Sequence, residues 1–236
     1  MTARKLLLAY AGDLVLGAPE DVGPLETFGS LAARVQEFAY APDRNRGALV
    51  TGVLVGSAAF SARRAGMVKT VWATLDGHRL RDQAQELNYL LEQGQIGDAQ
   101  ELLAELTGAE ADAAAIVEVA VDWLARGVAD GVVGPLFWAA LLGPAGAASY
   151  AAVNTLDARL DEHEQFGWAA ALLAETMNWP VTRLTAGLSA LVTPLLPTND
   201  DEFTRAINRS LYVGAAAALC CAALRWGLNK PHRRAG

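Results

Sequence analysis

An uncharged run of 23 residues, Gly131 to Val153, constrains this chain more than any other feature of its sequence. As a helix, it is long enough to cross the hydrocarbon core of a bilayer. Asp130 precedes the run, and Asn154 and Asp157 follow it. Polar groups at the ends of such a segment are energetically costly in a membrane unless they are hydrated or take part in a function such as ligand binding. These three side chains are therefore the first candidates for a functional site.

A Gly143-Pro144 step lies near the middle of the run. A proline inside a helix removes a hydrogen bond and clashes with the preceding turn, so two arrangements are open. In a single kinked span, Asp130 and Asp157 would lie roughly 40 Å apart, at about 1.5 Å per residue. In a helical hairpin that reverses at Gly143-Pro144, both polar ends would reach the same aqueous face. The sequence alone does not choose between them.

Composition favours a membrane protein with sizeable water-exposed parts. The hydrophobic fraction is 53% and the mean hydropathy is +0.20, above an ordinary soluble domain and below a protein made only of spans. Between Asp76 and Arg126 there are 11 acidic and 3 basic residues, in segments with helical periodicity. We therefore predict an all-α, polytopic integral membrane protein. It forms a single domain over 1–236, with mainly water-exposed helices at 63–130 and a membrane-embedded core at 131–224.

Shorter apolar segments lie elsewhere in the chain, at Arg4–Gly17, Gly47–Ala62, Leu184–Pro197 and Ser210–Leu224. Together with the central run, they give four or five candidate membrane-embedded segments. Within the second of these, Gly52 and Gly56 form a small-xxx-small pair, a pattern that permits close packing of helices. Farther along the chain, Asn178 and Trp179 could either set a turn before Pro180 or contact a ligand. These segments extend the membrane prediction across most of the chain.

The distribution of charge predicts orientation and excludes one class of partner. The one basic cluster follows the last apolar run and comprises Arg225, Lys230, Arg233 and Arg234. By the positive-inside tendency it places the C-terminus in the cytoplasm. The sequence has no basic stripe of the kind that nucleic-acid binding requires. It also lacks GxxxxGK[ST] and GxGxxG motifs, so a nucleotide would have to be held without those loops.

Three stretches carry a resemblance to a known family: DGVVGPLFWAALLGPAGAASYAAVNTLD, FGWAAALL and NWPVTRLTA. They are similar to the adenosylcobinamide-phosphate synthases of cobalamin biosynthesis. The resemblance extends to ATLDGHRLRDQAQELNYLLEQGQIGDAQ and, more faintly, to LLLAYAGDLVLGAP. It implies a multi-pass protein of the cytoplasmic (inner) membrane. It also implies ligation of aminopropanol phosphate to a propionate carboxyl of adenosylcobyric acid, a corrinoid, with ATP and magnesium.

The residues that match the family's stretches supply the candidate site. Asp130 and Asp157 are the predicted catalytic residues and possible ligands of Mg²⁺, which takes one or two carboxylates together with phosphate oxygens. The predicted substrate-binding residues are Asn154, Asn178, Arg183 and Asp13. Arg183 could form a forked contact with a phosphate or flank the next apolar segment as a snorkelling side chain. Asp130 could instead be a helix N-cap.

The chain departs from the family pattern at several motifs. Gly17-Ala18-Pro19 stands at the family's GDP, 108–111 (GAEA) at its GRDT, 125–127 (ARG) at its AEN, and 171–175 (ALLAE) at its ARLDD. These departures leave open a non-catalytic membrane regulator or scaffold on the same fold, similar to the membrane regulators of β-lactamase induction. A soluble all-helical protein is a third possibility. Other membrane proteins of cobalamin synthesis are further candidate partners, beside the bilayer itself.

Overall fold

The computed structural model describes residues 2–17, 24–160, 164–198 and 200–228, and within these ranges all regular structure is helical. The α-helices are α1 (Thr2–Leu16), α2 (Pro24–Ala39), α3 (Arg44–Ala65), α4 (Met67–Thr74), α5 (Gly77–Glu92), α6 (Ile96–Thr107), α7 (Ile116–Val128), α8 (Gly134–Leu142), α9 (Pro144–Leu160), α10 (Glu164–Val192) and α11 (Glu202–Leu228). A π-helical turn, Ala129–Val133, joins α7 to α8, and a 3₁₀ turn, Thr193–Leu195, follows α10. The all-α prediction is confirmed.

One continuous helical segment leads into the central stretch. The helix α7, the π turn and α8 together run from Ile116 to Leu142 without an interruption. Asp130 therefore lies inside a helical segment rather than at its first residue. The alternative of Asp130 as a helix N-cap is wrong, because the helix has already begun 14 residues earlier, at Ile116.

The chain reverses at Gly143, which ends α8 before Pro144 begins α9. Gly143 has φ 74° and ψ −158°, a conformation that L side chains rarely adopt. The two helices then pack so closely that a Cβ on Gly146 would lie 2.3 Å from the carbonyl oxygen of Trp138. The hairpin arrangement is thus the observed one. A single span over Gly131 to Val153 is wrong, since the glycine-proline step separates two antiparallel helices.

The last helix holds the end of this hairpin. The Arg225 guanidinium of α11 donates from one nitrogen to the carbonyl oxygens of Ala140 and Leu141, at 3.0 and 3.1 Å. These carbonyls belong to the last turn of α8, where the helix itself supplies no donors. The α11 helix also packs against α1 and α7, so it lies in the main core beside the hairpin.

The Trp179-Pro180 step does not form the predicted turn. Pro180 lies inside α10, which continues for 12 more residues to Val192. The Trp138 indole N–H donates to the carbonyl oxygen of Met177 at 3.3 Å, one turn before the proline. Contacts of this kind provide hydrogen-bond partners for backbone groups whose bonds within the helix a proline breaks. The predicted separate run at Leu184–Pro197 consequently covers the last part of α10 and the 3₁₀ turn that follows it, rather than a helix of its own.

Two helical segments in the described part of the chain are long and apolar enough to cross a membrane: Ile116–Leu142 and Glu202–Leu228, of 27 residues each. The segments predicted at Arg4–Gly17 and Gly47–Ala62 form α1 and α3, which do not meet that criterion. Gly52 and Gly56 of α3 face open space, and a Cβ on either would meet no atom within 4 Å. The predicted close packing at this pair is therefore not made within the described chain.

Candidate functional site

Four polar side chains from three helical elements meet beside the hairpin. The hydroxyl oxygen of Tyr150, on α9, lies 2.6 Å from Asn178 Oδ1 on α10 and 3.2 Å from Asp130 Oδ1 in the π turn. Asn178 Nδ2 in turn donates to Asn154 Oδ1 at 3.4 Å. We call these four residues the polar cluster. Three of them, Asp130, Asn154 and Asn178, are residues that the sequence predicted for the site.

Tyr150 is the centre of the polar cluster and the functional candidate that sequence reasoning missed. Its side chain is fully buried and passes over Gly134, where a Cβ would lie 2.2 Å from the tyrosine ring. Asp130 is exposed, whereas Asn154 and Asn178 are partly buried. The cluster therefore consists of a buried hydroxyl, two partly buried amides and an exposed carboxylate. The available signal was the position of Tyr150 between the GPAGA and NTLD stretches.

The π turn also connects the site to the start of α5. A π-helical turn inserts an extra residue into a helix and is frequent at functional sites. Here the carbonyl oxygen of Gly131 accepts a hydrogen bond from the backbone N–H of Asp76 at 3.0 Å. The Asp76 carboxylate is held by the Arg79 guanidinium, with Nε at 2.8 and 3.1 Å from its two oxygens. Asp76 is thus a second acid beside the site, within the ATLDGHRL stretch of the resemblance.

Asp13 lies elsewhere, at the junction of α1 and α5. Its side chain is 1% exposed and accepts hydrogen bonds from the backbone N–H groups of Gly77 and His78, at the first turn of α5. Asp13 therefore satisfies the N-terminus of a helix and is not part of the polar cluster.

The remaining predicted residues are Asp157 and Arg183. Asp157 is partly buried on α9, one helical turn beyond Asn154, as their three-residue spacing predicted. Arg183 is exposed on α10, with its guanidinium 3.9 Å from the centre of the Trp179 ring. Stacking of this kind holds a guanidinium over an aromatic face. Its charge is therefore available at the surface one to two turns beyond Asn178.

The described residues contain no group of three or more His, Cys, Asp or Glu side chains that could hold a metal ion. A closed structural metal site of the zinc type needs four such ligands. Magnesium does not, because it binds through one or two carboxylates and substrate phosphates. The assignment of Asp130 and Asp157 as ligands of magnesium therefore stays a prediction.

A cavity of about 570 Å³ lies on the other side of α9, between α2, α3 and α4. Its α9 wall is formed by Ala148, Ala151 and Ala152, and none of the four residues of the polar cluster lines it. The lining is mostly apolar, and Lys69 contributes its one charged side chain. This cavity is therefore separate from the polar cluster and offers little hydrogen bonding of its own.

Comparison with known proteins identifies the family of this arrangement. A family model described as "CobD/Cbib protein" matches residues 6–236. This chain belongs to the CobD/Cbib family. The match includes all four residues of the polar cluster. The resemblance predicted from the sequence is confirmed, and with it membership of a family of cobalamin biosynthesis.

Individual CobD relatives agree with this assignment. The protein named "Cobalamin biosynthesis protein CobD" from Mycobacterium tuberculosis is 30% identical over 222 residues, covering 86% of this chain and 71% of the relative. Proteins of the same name from Rhodobacter capsulatus and Chromobacterium violaceum are each 29% identical, over 219 and 206 residues. They cover 81% and 77% of this chain, and 70% and 66% of their own lengths are matched. No solved structure matches this CobD/Cbib chain.

Proposed function

We propose that this protein is an adenosylcobinamide-phosphate synthase, which joins aminopropanol phosphate to adenosylcobyric acid in an ATP-dependent amide ligation. The observation that carries the proposal is the polar cluster. Asp130 and Asn154 belong to one stretch that resembles this family and Asn178 to another. Asp130 and Asn178 contact the Tyr150 hydroxyl, and Asn154 contacts Asn178. A ligase needs such a fixed constellation because orienting two reactants supplies much of the rate acceleration.

The residues around the cluster suit the reactants. Asp130 presents an exposed carboxylate, and the amides of Asn154 and Asn178 restrict the position of the tyrosine behind it. Arg183 is an exposed cation beyond Asn178 and would receive a phosphate group of a substrate. Asp130 and Asp157 would hold Mg²⁺ together with phosphate oxygens. ATP would supply the activation that a carboxylate requires before an amine can displace an oxygen from it.

We further propose that the protein is a multi-pass protein of the inner membrane with a cytoplasmic C-terminus. Support comes from where exposed large apolar side chains lie. The helices α1, α3, α10 and α11 carry sixteen of them, including Leu8, Val53, Leu172 and Leu219, whereas α5 and α6 carry one each, Tyr89 and Ile96. Large exposed apolar surfaces mark contact with a partner or membrane. This distribution supports a membrane-embedded core and a water-exposed region that contains α5 and α6.

The proposed membrane location has a direct test. We expect the protein to stay with the membrane fraction after washing with alkaline carbonate, and to require detergent for extraction. A cysteine placed in the water-exposed region, for example Glu105→Cys on α6, should react with a membrane-impermeant thiol reagent from one side of the membrane. Recovery of the folded protein in the aqueous fraction without detergent would instead favour the soluble all-helical alternative.

Complementation tests the proposed activity. We expect the gene to restore cobalamin-dependent growth to a bacterial strain that lacks its adenosylcobinamide-phosphate synthase. Purified protein should convert adenosylcobyric acid and aminopropanol phosphate to the amide only when ATP and Mg²⁺ are present. Asn154→Ala and Asp157→Ala should both lose this activity at normal expression. A well-expressed wild-type protein that neither complements nor binds nucleotide or corrinoid would favour the non-catalytic alternative.

A further inference from the structure

One end of the cavity between α2, α3, α4 and α9 is a corner at Gly66, the residue that joins α3 to α4. The Thr70 hydroxyl of α4 closes this corner by donating to the carbonyl oxygen of Ala62 on α3, at 3.2 Å. Lys69 lines the cavity beside the corner, and Ser57 lines it nine residues before Gly66, about 13 Å away along α3 at 1.5 Å per residue. The cavity is therefore elongated, and its volume of about 570 Å³ is typical of ligand sites.

Most of the polar groups that line this cavity are already used within the protein. The hydroxyls of Ser57, Thr70 and Thr74 donate to backbone carbonyl oxygens at 2.8, 3.2 and 2.9 Å. Each hydroxyl has one hydrogen, so these three offer no donor to a ligand. Among the described lining residues, Ser61 and Lys69 keep hydrogens that a ligand can accept, and both are exposed. The cavity thus has polar donors near the corner and an apolar wall beyond it.

The corner is also positively charged. Lys69 takes part in neither of the two ion pairs that the described part of the chain contains. Arg63 and Arg64, in the last turn of α3, are exposed close to it in the chain. The described lining residues include no acidic side chain. Because a lysine stem can lie along an apolar wall while its ammonium reaches the water interface, Lys69 can pair with an anion at the corner.

We propose that this cavity binds an acyl chain of one anionic phospholipid, whose phosphate accepts hydrogen bonds from Lys69 and Ser61 at the corner. The apolar wall suits the chain, which needs no hydrogen bonds. A corrinoid suits it less, because its amide groups would need partners along the wall. An acyl chain is in apolar surroundings in the bilayer as well, so the charge at the corner decides which lipid binds. The inference rests on the proposed membrane location and is independent of the proposed ligation.

The preference between two lipids tests the role of the charge. The probes are phosphatidylglycerol and phosphatidylcholine with the same acyl chains, and native mass spectrometry measures their affinities for the detergent-solubilised full-length protein. We expect one phosphatidylglycerol to bind at least about fivefold more tightly than phosphatidylcholine. Lys69→Gln should remove most of this preference, whereas Lys5→Gln should retain it, because Lys5 lies on α1 and does not line the cavity. An equal loss in both variants would show general attraction to a basic surface and would overturn the inference.

Two substitutions in α3 test whether the acyl chain occupies the cavity. Ala58 lines the apolar wall, so the ring in Ala58→Phe would take up space that the chain needs. We expect this variant to lose tight binding of both lipids and to keep the melting temperature of the wild type. Val53 is 62% exposed on the same helix and does not line the cavity, so Val53→Phe should bind both lipids as the wild type does. Unchanged phosphatidylglycerol binding by Ala58→Phe would show that the chain binds elsewhere.

The outcomes separate this inference from the proposed membrane location and function. If the protein stays in the membrane fraction but binds both lipids equally, the inference is wrong and the membrane location stands. If adenosylcobyric acid displaces phosphatidylglycerol and binds more weakly to Ala58→Phe, the cavity holds a substrate and the lipid assignment is overturned. Recovery of the protein in the aqueous fraction without detergent would remove both the membrane location and the inference. Should Ala58→Phe not fold, the exposed Lys69→Gln decides the question.

Discussion

Asn178→Leu is expected to lower the ligase activity about 100-fold while the protein remains folded. Leucine has nearly the same size as asparagine, so helix packing is preserved. It cannot accept the Tyr150 hydroxyl hydrogen or donate to Asn154, so the tyrosine loses its fixed orientation. Small displacements of a group that orients the reactants lower the reaction rate by about this factor. The measurement is the rate of amide formation by purified protein, together with its melting temperature.

A threonine on the opposite face of the same helix provides the control. Thr176 is exposed, and its hydroxyl donates only to the carbonyl oxygen of Leu172, within α10. Thr176→Val should therefore leave the rate of amide formation within about twofold of the wild type, because surface substitutions usually have small effects. Equal rates for Asn178→Leu and the wild type would show that the polar cluster is not the reaction site.

Gly47→Ala is expected to give the largest loss of stability among single-methyl additions in α3. A Cβ at this position would lie 2.0 Å from the carbonyl oxygen of Phe166, so α3 and α10 would have to separate. The contact is with backbone, which cannot rotate away as a side chain can. Overpacking of a well-packed site costs about 1–3 kcal/mol, and the disruption here involves two helices. The measurement is the free energy of unfolding in detergent.

Gly52→Ala is the matched control in the same helix. A Cβ on Gly52 would meet no atom within 4 Å, and alanine is a better helix former than glycine by up to about 1 kcal/mol. We therefore expect Gly52→Ala to be neutral or stabilising, so that the two variants differ by about 1–4 kcal/mol. A destabilised Gly52→Ala together with an unaffected Gly47→Ala would show that α3 packs through its Gly52 face instead. The two substitutions thus determine which face of α3 is buried.

Much of the site could be predicted because it lies in stretches with a recognisable pattern. Asp130, Asn154 and Asn178 were identified from polar residues beside an apolar run and from the family's motifs. The Gly143-Pro144 step indicated the position of the hairpin, because glycine accepts a backbone conformation that ends a helix and proline can begin the next one. These backbone preferences belong to the individual residues, so the sequence alone is enough to predict them.

Other features depended on contacts that are remote in sequence. In the sequence, Pro180 predicts a turn, yet α10 continues through it. The reason is that neighbouring side chains, including Trp138, form hydrogen bonds with backbone groups near the proline. Gly52 and Gly56 read as a packing motif, whereas Gly47 makes the close contact with α10. In the sequence, Tyr150 is indistinguishable from an ordinary core aromatic residue, whereas in the structure its hydroxyl contacts Asp130 and Asn178. In each case the partner that decides the outcome is tens of residues away.

The sequence by itself determined the all-helical fold, the family and most of the candidate side chains, because periodicity, glycine and proline positions and motif spacing are local properties. Only the tertiary structure decided that the central run is a hairpin rather than a span, that a π turn presents Asp130, and that Tyr150 joins three elements. Those features arise from packing, where a hydroxyl and its acceptors must come within about 3 Å. No pattern along the chain encodes such a distance.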